Sequence, residues 1–297
     1  MKQREIFKPG TKAAGFNVLA ELGQGAASVI YLVQDPKTKQ IWALKHVVKE
    51  TQKDQRFLDQ AEAEYEVAAK LDHPVVRKIP RLVKNRKLLQ VKDLFLVMEY
   101  VDGVSIEKHP PSRLTDAVLI FQRVAEGLAH MHDRGFVHAD MKPNNVVVCD
   151  DSAVKIIDLG QSCPVGAVKE RIQGTPDYIA PEQVHRRQIT PRTDVYNLGA
   201  TMYWVLTQKH IPTALPKGDS LVTSLEDDFI EKPKPVSELN PRVPQRLNDL
   251  IMQCVEVNPD NRPESMKVVA DRLGLIYAQL KADDKAKTGQ KVAADDD

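Results

Sequence analysis

Two short stretches near the start of the chain carry residue types suited to handling a phosphate group. Gly23-Gln24-Gly25-Ala26-Ala27-Ser28 is a glycine-rich turn. Glycine at its first and third places lets backbone N–H groups approach phosphate oxygens with no Cβ in the way. Taken alone, the turn also fits a dinucleotide fingerprint or a plain hairpin. A dinucleotide site needs a helix directly after the glycines, whereas Val29-Ile30-Tyr31-Leu32-Val33 is β-type. The turn therefore reads as a flap between two strands, with a ligand-free hairpin still open. Lys45, in Ala43-Leu44-Lys45, is a cation on a strand of apolar neighbours, a costly position unless a partner is at hand. Glu62, Glu64 and Glu66 offer one; an ordinary surface lysine is the other reading.

The elements that must position these groups change character along the chain. Phe16–Leu22, Val29–Val33 and Ile41–Val48 read as strands, as do stretches around Arg81–Val83 and Leu94–Tyr100. Arg56–Leu71 is rich in Glu, Ala, Lys and Leu and predicts one helix, closed by His73-Pro74. After Gly103 the pattern turns helical: Leu114, Val118, Phe121, Val124, Leu128 and Met131 form one apolar stripe, with Gly135 placed as its cap. Further apolar patterns cover Val195–Leu206, Leu247–Val255 and Met266–Leu280, while Lys209–Gln245 reads as loop with short helical pieces. The tail from Lys281 has nothing to pack and is expected to be disordered.

Composition narrows the classes. At 297 residues and 42% hydrophobic, the chain can bury one large domain or two lobes. Lys+Arg 42 against Asp+Glu 41 gives a charge of +1, so no global field argues for nucleic acid or a membrane surface. Three scattered cysteines read as reduced thiols without a disulfide framework or zinc site. The N-terminus MKQREIFKPG is too polar for a secretory signal. The longest charge-free apolar stretch, Val195–Gln208, falls short of the about 20 residues a membrane span requires. These features predict a soluble, cytoplasmic protein.

The deciding motifs lie downstream. His138-Ala139-Asp140-Met141-Lys142-Pro143-Asn144-Asn145 is followed, thirteen residues after Asn145, by Asp158-Leu159-Gly160. Then come Gly174-Thr175-Pro176-Asp177-Tyr178-Ile179-Ala180-Pro181-Glu182, Asp194-Val195-Tyr196-Asn197-Leu198-Gly199 and Asn261-Arg262-Pro263. In order and spacing, the chain resembles the eukaryotic-type (Hanks-type) protein kinases from about Phe16 to Leu280. The Ala-Pro-Glu-Gln run and the all-apolar style of the Asp194–Leu206 segment lean to the bacterial branch.

The resemblance implies an α+β, two-lobed fold: a small antiparallel sheet with one helix (16–100), then a larger helical lobe (104–280), with residues 1–15 as an extension. It also implies Mg2+-bound ATP in the cleft between lobes and a protein substrate bearing serine or threonine. Lys45 would hold the α- and β-phosphates, paired with Glu64; Asp158 and Asn145 would bind magnesium; Asp140 would accept or orient the hydroxyl proton. Lys142 would contact the γ-phosphate, and Thr175 would bond both Asp140 and Lys142. Gly23, Gly25 and Ser28 would line the phosphate flap. Val29, Ala43 and Val147 would sandwich adenine, with Met98 behind it and Glu99 to Val101 offering backbone hydrogen bonds. Glu182 and Arg262 look like the family's buried ion pair, and Asp194 like the residue that caps the catalytic-loop backbone.

Three positions depart from the family pattern. Ser28 replaces a third glycine and Leu159 a common phenylalanine, both tolerated swaps. Ala139 stands where most members carry an arginine that pairs with a phosphorylated activation segment, and Cys163–Gly174 contains no Ser, Thr or Tyr. The receptor and its phosphate are missing together, which predicts a kinase not gated by activation-segment phosphorylation; drift at Ala139 with regulation elsewhere is the other reading. A pseudokinase scaffold is the alternative for the whole chain, although Lys45, Asp140, Asn145 and Asp158 all stand. A small-molecule kinase of the same ancestry would lack the Gly174–Glu182 segment.

Overall fold

Apolar residues at every second position make strands with one buried face, and the first part of the chain is built this way. The computed structural model describes residues 6–25, 27–87, 90–212 and 230–294. Residues up to Gly103, together with Ile157–Ser162, form one compact unit; Val104–Ile156 and the chain from Cys163 form another.

The first unit is an antiparallel six-stranded sheet of order β1-β2-β3-β4-β6-β5. Its strands are β1 (Lys12–Ala13), β2 (Phe16–Gln24), β3 (Ser28–Gln34), β4 (Ile41–Val48), β5 (Arg81–Lys87) and β6 (Gln90–Glu99). Val29, Tyr31 and Val33 alternate inward on β3 and pack with Phe16, Val18, Leu44, Phe95 and Val97. Helix α1 (Gln55–Ala68) buries Leu58, Ala61, Glu64 and Val67. A carboxylate therefore sits in what is otherwise an apolar stripe. Two features exceed the sequence reading. The hairpin β5–β6 runs out to Lys87 and Gln90. Residues 6–15 also join the sheet: β1 pairs with β2, and the Phe7 ring packs on Tyr31, His46 and Phe95.

The second unit is mostly helical. Helix α2 (Leu114–Asp133) buries its predicted stripe and stops at Gly135, whose φ of +79° suits glycine. Short helices α3 (Pro181–Val184) and α5 (Val236–Leu239) accompany α4 (Pro191–Thr207) and α6 (Gln245–Cys254). Helix α4 is buried from Thr193 to Tyr203, which explains its lack of a polar face. Small sheets hold the loops: β7 (Gly103–Ser105), β9 (Val146–Cys149) and β10 (Val154–Ile156) form one, β8 (Phe136–Val137) and β11 (Cys163–Pro164) the other.

Helix α7 corrects the expected disorder of the tail, because it runs from Met266 to Ala294. The residues after Lys281 include four alanines and three lysines, strong helix formers that continue a packed helix; residues 295–297 lie outside the described residues. Within the expected loop Lys209–Gln245, residues 213–229 lie outside them too. Among the described residues no helix is long and apolar enough to cross a membrane.

Candidate functional site

In the first unit the phosphate-suited groups fall into place around β4. Strand alternation puts Lys45 on the face opposite the buried Leu44, and its Nζ lies 2.7 Å from Glu64 Oε2. The sequence offered three glutamates; Glu62 instead pairs with Lys84, at 2.6 Å. Burial opposes the Lys45 charge, but Glu64 and Asp158 outweigh it and hold the ammonium above its ordinary pKa. The other Glu64 oxygen, Oε1, is buried and makes no hydrogen bond among the described residues. Asp158 Oδ1 accepts from the Gly160 amide at 2.9 Å, and Gln60 Nε2 donates to the Gly160 carbonyl at 2.8 Å. These bonds tie the Asp158 turn to helix α1. At the flap, Gly25 N–H donates to the Ser28 carbonyl at 2.7 Å, and a Cβ on Gly23 would project into open space. Val29 and Ala43 are nearly buried, and Met98 wholly so. The Glu99 amide is committed to the Lys78 carbonyl at 2.8 Å and so is not offered to a base.

In the second unit the loop after β8 carries the rest. Asp140, Lys142 and Thr175 close a triangle: Lys142 Nζ donates to Asp140 Oδ2 at 2.9 Å and to Thr175 Oγ1 at 2.8 Å, and Thr175 Oγ1 donates to Asp140 Oδ1 at 2.9 Å. Asn145 Nδ2 donates to the Asp140 carbonyl at 2.8 Å, which turns its oxygen the other way. Val147 lies nearly buried on β9. Asp194, on the first turn of α4, accepts from the His138 and Ala139 amides at 2.8 Å each and meets His132 Nε2 at 2.8 Å. Burial pushes its pKa up, yet the His132 bond and charge outweigh that and hold the carboxyl below its usual range. Ala139 is left-handed at φ +61°, a strain on the order of 1 kcal/mol for an L-residue that the Asp194 bonds oppose. Glu182 and Arg262 meet side by side at 2.8 and 3.0 Å.

The donor chemistry fits a nucleotide with a hard divalent cation. Asp158 in the first unit offers a carboxylate and Asn145 in the second an amide oxygen, each the hard-oxygen ligand type that magnesium takes alongside water and phosphate. Lys45 supplies a cation, and Gly23 leaves open space where a Cβ would stand.

The chain matches the family described as "Protein kinase domain" over residues 16–273. It belongs to the protein kinase domain family. A probable serine/threonine-protein kinase of Clostridium acetobutylicum is 25% identical over 288 residues, covering 92% of this chain and 41% of its own length. PknB of Mycolicibacterium smegmatis is 29% identical over 255 residues (81% and 39%), and PrkC of Bacillus subtilis 25% over 265 residues (86% and 40%). The chain thus spans only about two-fifths of the length of these relatives. Among solved structures, the Mycobacterium tuberculosis PknI kinase domain superposes with a TM-score of 0.70 at 25% identity, covering 92% of this chain and 100% of that one.

Against that kinase background, three neighbours of the site went unread in the sequence. Arg77, in the loop after α1, lies near Glu64 and Asp158; burial pulls its pKa down while those carboxylates pull it up. Lys169, inside the activation segment, lies near Cys163, Asp140 and Asp194, with burial lowering its pKa against their pull. Gln183 follows Glu182 directly. Arg77 and Lys169 fall on no repeat or spacing that sequence patterns reveal; Gln183 ends the Ala-Pro-Glu-Gln run, which by itself says nothing of its more distant partners.

Proposed function

We propose that this domain transfers the γ-phosphoryl of magnesium-bound ATP to serine or threonine hydroxyls of protein substrates, and does so without a phosphate on its activation segment. The observation that carries the chemistry is the closed triangle of Asp140, Lys142 and Thr175. Asp140 is placed to take or orient the acceptor proton, Lys142 bonds one of its carboxylate oxygens, and Thr175 bonds the other and fixes the carboxylate plane. Lys45, oriented by Glu64, would hold the α/β-phosphates, while Asp158 and Asn145 would ligate magnesium. The bound metal neutralises phosphate charge, and positioning supplies the rest of such a transfer. Leu159, 2% exposed, fills the apolar place beside Asp158.

Independence from phosphorylation is supported by how the segment is held. Cys163 and Pro164 pair with β8, and the Gly166 amide donates to the Ile189 carbonyl at 2.7 Å. Val137, Ala139, Cys163 and Ile189 form an apolar cluster with Ala167. The alanine methyl thus packs where an arginine would carry charge. Near-neutral charge argues for protein rather than nucleic acid as partner, and the free cysteines Cys149, Cys163 and Cys254 for a reducing cytoplasm.

Phosphatase-stripped protein, assayed on a peptide library, is expected to label serine and threonine at full rate and without a lag. Asp140→Asn should fold yet lose about 10²–10⁴-fold in turnover. A lag removed by prior incubation with ATP contradicts the ungated reading, phosphotyrosine as main product contradicts the hydroxyl choice, and an active Asp140→Asn contradicts the base and leaves room for a scaffold.

A further inference from the structure

Gln183 has no part in the chemistry above, yet its side chain is 4% exposed and every hydrogen-bonding position on it is used. Oε1 accepts from the Ala180 amide at 2.9 Å and from Asn197 Nδ2 at 3.0 Å. Nε2 donates to the Ala139 carbonyl at 2.8 Å and to the Gln173 carbonyl at 3.3 Å. Two donors and two lone pairs are matched by two carbonyls and two N–H groups, which fixes the amide in one orientation.

The two carbonyls are the informative partners. Ala139 precedes Asp140 and sits at φ +61°, with its own N–H already given to Asp194. Its strained peptide is therefore held from both sides. Gln173 stands two residues before Thr175. Between them Gly174 adopts φ +132°, and a Cβ there would come within 3.3 Å of Gln183 Nε2 and 3.2 Å of Ile179, so glycine is required for the segment to lie against the amide. One side chain thus links the backbone on the Asp140 side of the triangle to the backbone on its Thr175 side.

We infer that Gln183 is a positioning residue, a permanent amide latch between the catalytic loop and the activation segment. It does continuously what an arginine–phosphate pair does only after modification. The inference rests on reading Asp140 as the catalytic carboxylate of an ungated kinase.

Gln183→Leu keeps the size and loses all four bonds. Gln183→Glu keeps the acceptor bonds but sets an anionic oxygen against two carbonyls. On the full chain, both are expected to lower kcat by about 10–100-fold, the scale of a reacting group displaced by roughly 1 Å. MgADP affinity, read by fluorescence titration, should stay within about two-fold, since the loss is confined to turnover. Incubation with ATP should restore nothing. Gln183→Asn, one methylene short of spanning both carbonyls, guards against misfolding of the larger changes and should fall between them and the parent. A folded variant with the parent's kcat, or a loss seen only in nucleotide affinity or melting temperature, overturns the latch. Asp140→Asn run in parallel separates the two ideas: if it is inactive while Gln183→Glu is normal, only the latch fails; if it is active, the underlying reading fails.

Discussion

Two of the domain's buried carboxylate–cation pairs are finished differently. Glu182 and Arg262 meet through two bonds, every guanidinium hydrogen is used, and both carboxylate oxygens accept at least one bond. Thr193 Oγ1 donates to Glu182, while the carbonyls of Arg192, Glu256 and Val257 take the other guanidinium hydrogens, and the Tyr196 ring lies 4.8 Å from Arg262 Cζ. Lys45 and Glu64 meet through one bond, Glu64 Oε1 makes no hydrogen bond among the described residues although the Arg77 charge lies near, and Lys45 keeps 19% of its side chain exposed. A completed network rigidifies what surrounds it, whereas a half-used one leaves capacity for something else to bind. The first pair reads as scaffold and the second as a group awaiting phosphate.

The sharpest way to break this contrast is to remove one partner of the completed pair. Arg262→Met strands Glu182 and should cost about 3–5 kcal/mol in urea unfolding; a loss under about 1 kcal/mol would demote the pair to an ordinary surface contact. The next largest effect belongs to the open pair. Glu64→Gln keeps an acceptor for Lys45 but removes the charge that orients it, so turnover should fall about 10²-fold with an urea midpoint close to the parent's. Equal destabilisation by Glu64→Gln and Arg262→Met would erase the distinction. The mildest change is at the triangle. Thr175→Val removes one donor and one acceptor beside Asp140 and should lower kcat by about ten-fold, with Thr175→Ser restoring most of it, in line with the roughly 1 kcal/mol worth of such a bond. A serine variant as slow as the valine would mean that the methyl, not the hydroxyl, matters.

The two units were unequally legible. Order and spacing of Lys45, Asp140, Asn145, Asp158 and Thr175 announced the family before any coordinates, because those groups must stand at set distances along the chain. The strands around Lys45 and the stripe of α2 were readable from period alone. Unread were β1, whose Lys12 and Ala13 carry no alternation, and the extension of α7, where low hydrophobicity suggested disorder while alanine and lysine favoured helix. The choice of Glu64 among three glutamates became visible only once α1 aimed a single carboxylate inward. The roles of Gln183 and Arg77 stayed hidden for a further reason: the Ala139 carbonyl that Gln183 meets and the Asp158 charge near Arg77 lie far away in sequence and leave no periodic trace.

The short N-terminal stretch has a consequence for how the sheet meets water and other molecules. The Gly10 amide donates to the Val18 carbonyl and the Val18 amide to the Thr11 carbonyl, both at 2.9 Å, and with the pairing of Ala13 and Phe16 these bonds cover the outer rim of β2. The Phe7 amide donates to Tyr31 Oη at 3.2 Å, which seats its ring over the stacked His46 and Phe95. Trimming the chain at residue 16, where the family match begins, would uncover an aromatic face and leave β2 as an open edge, the combination through which sheets of separate molecules join into aggregates.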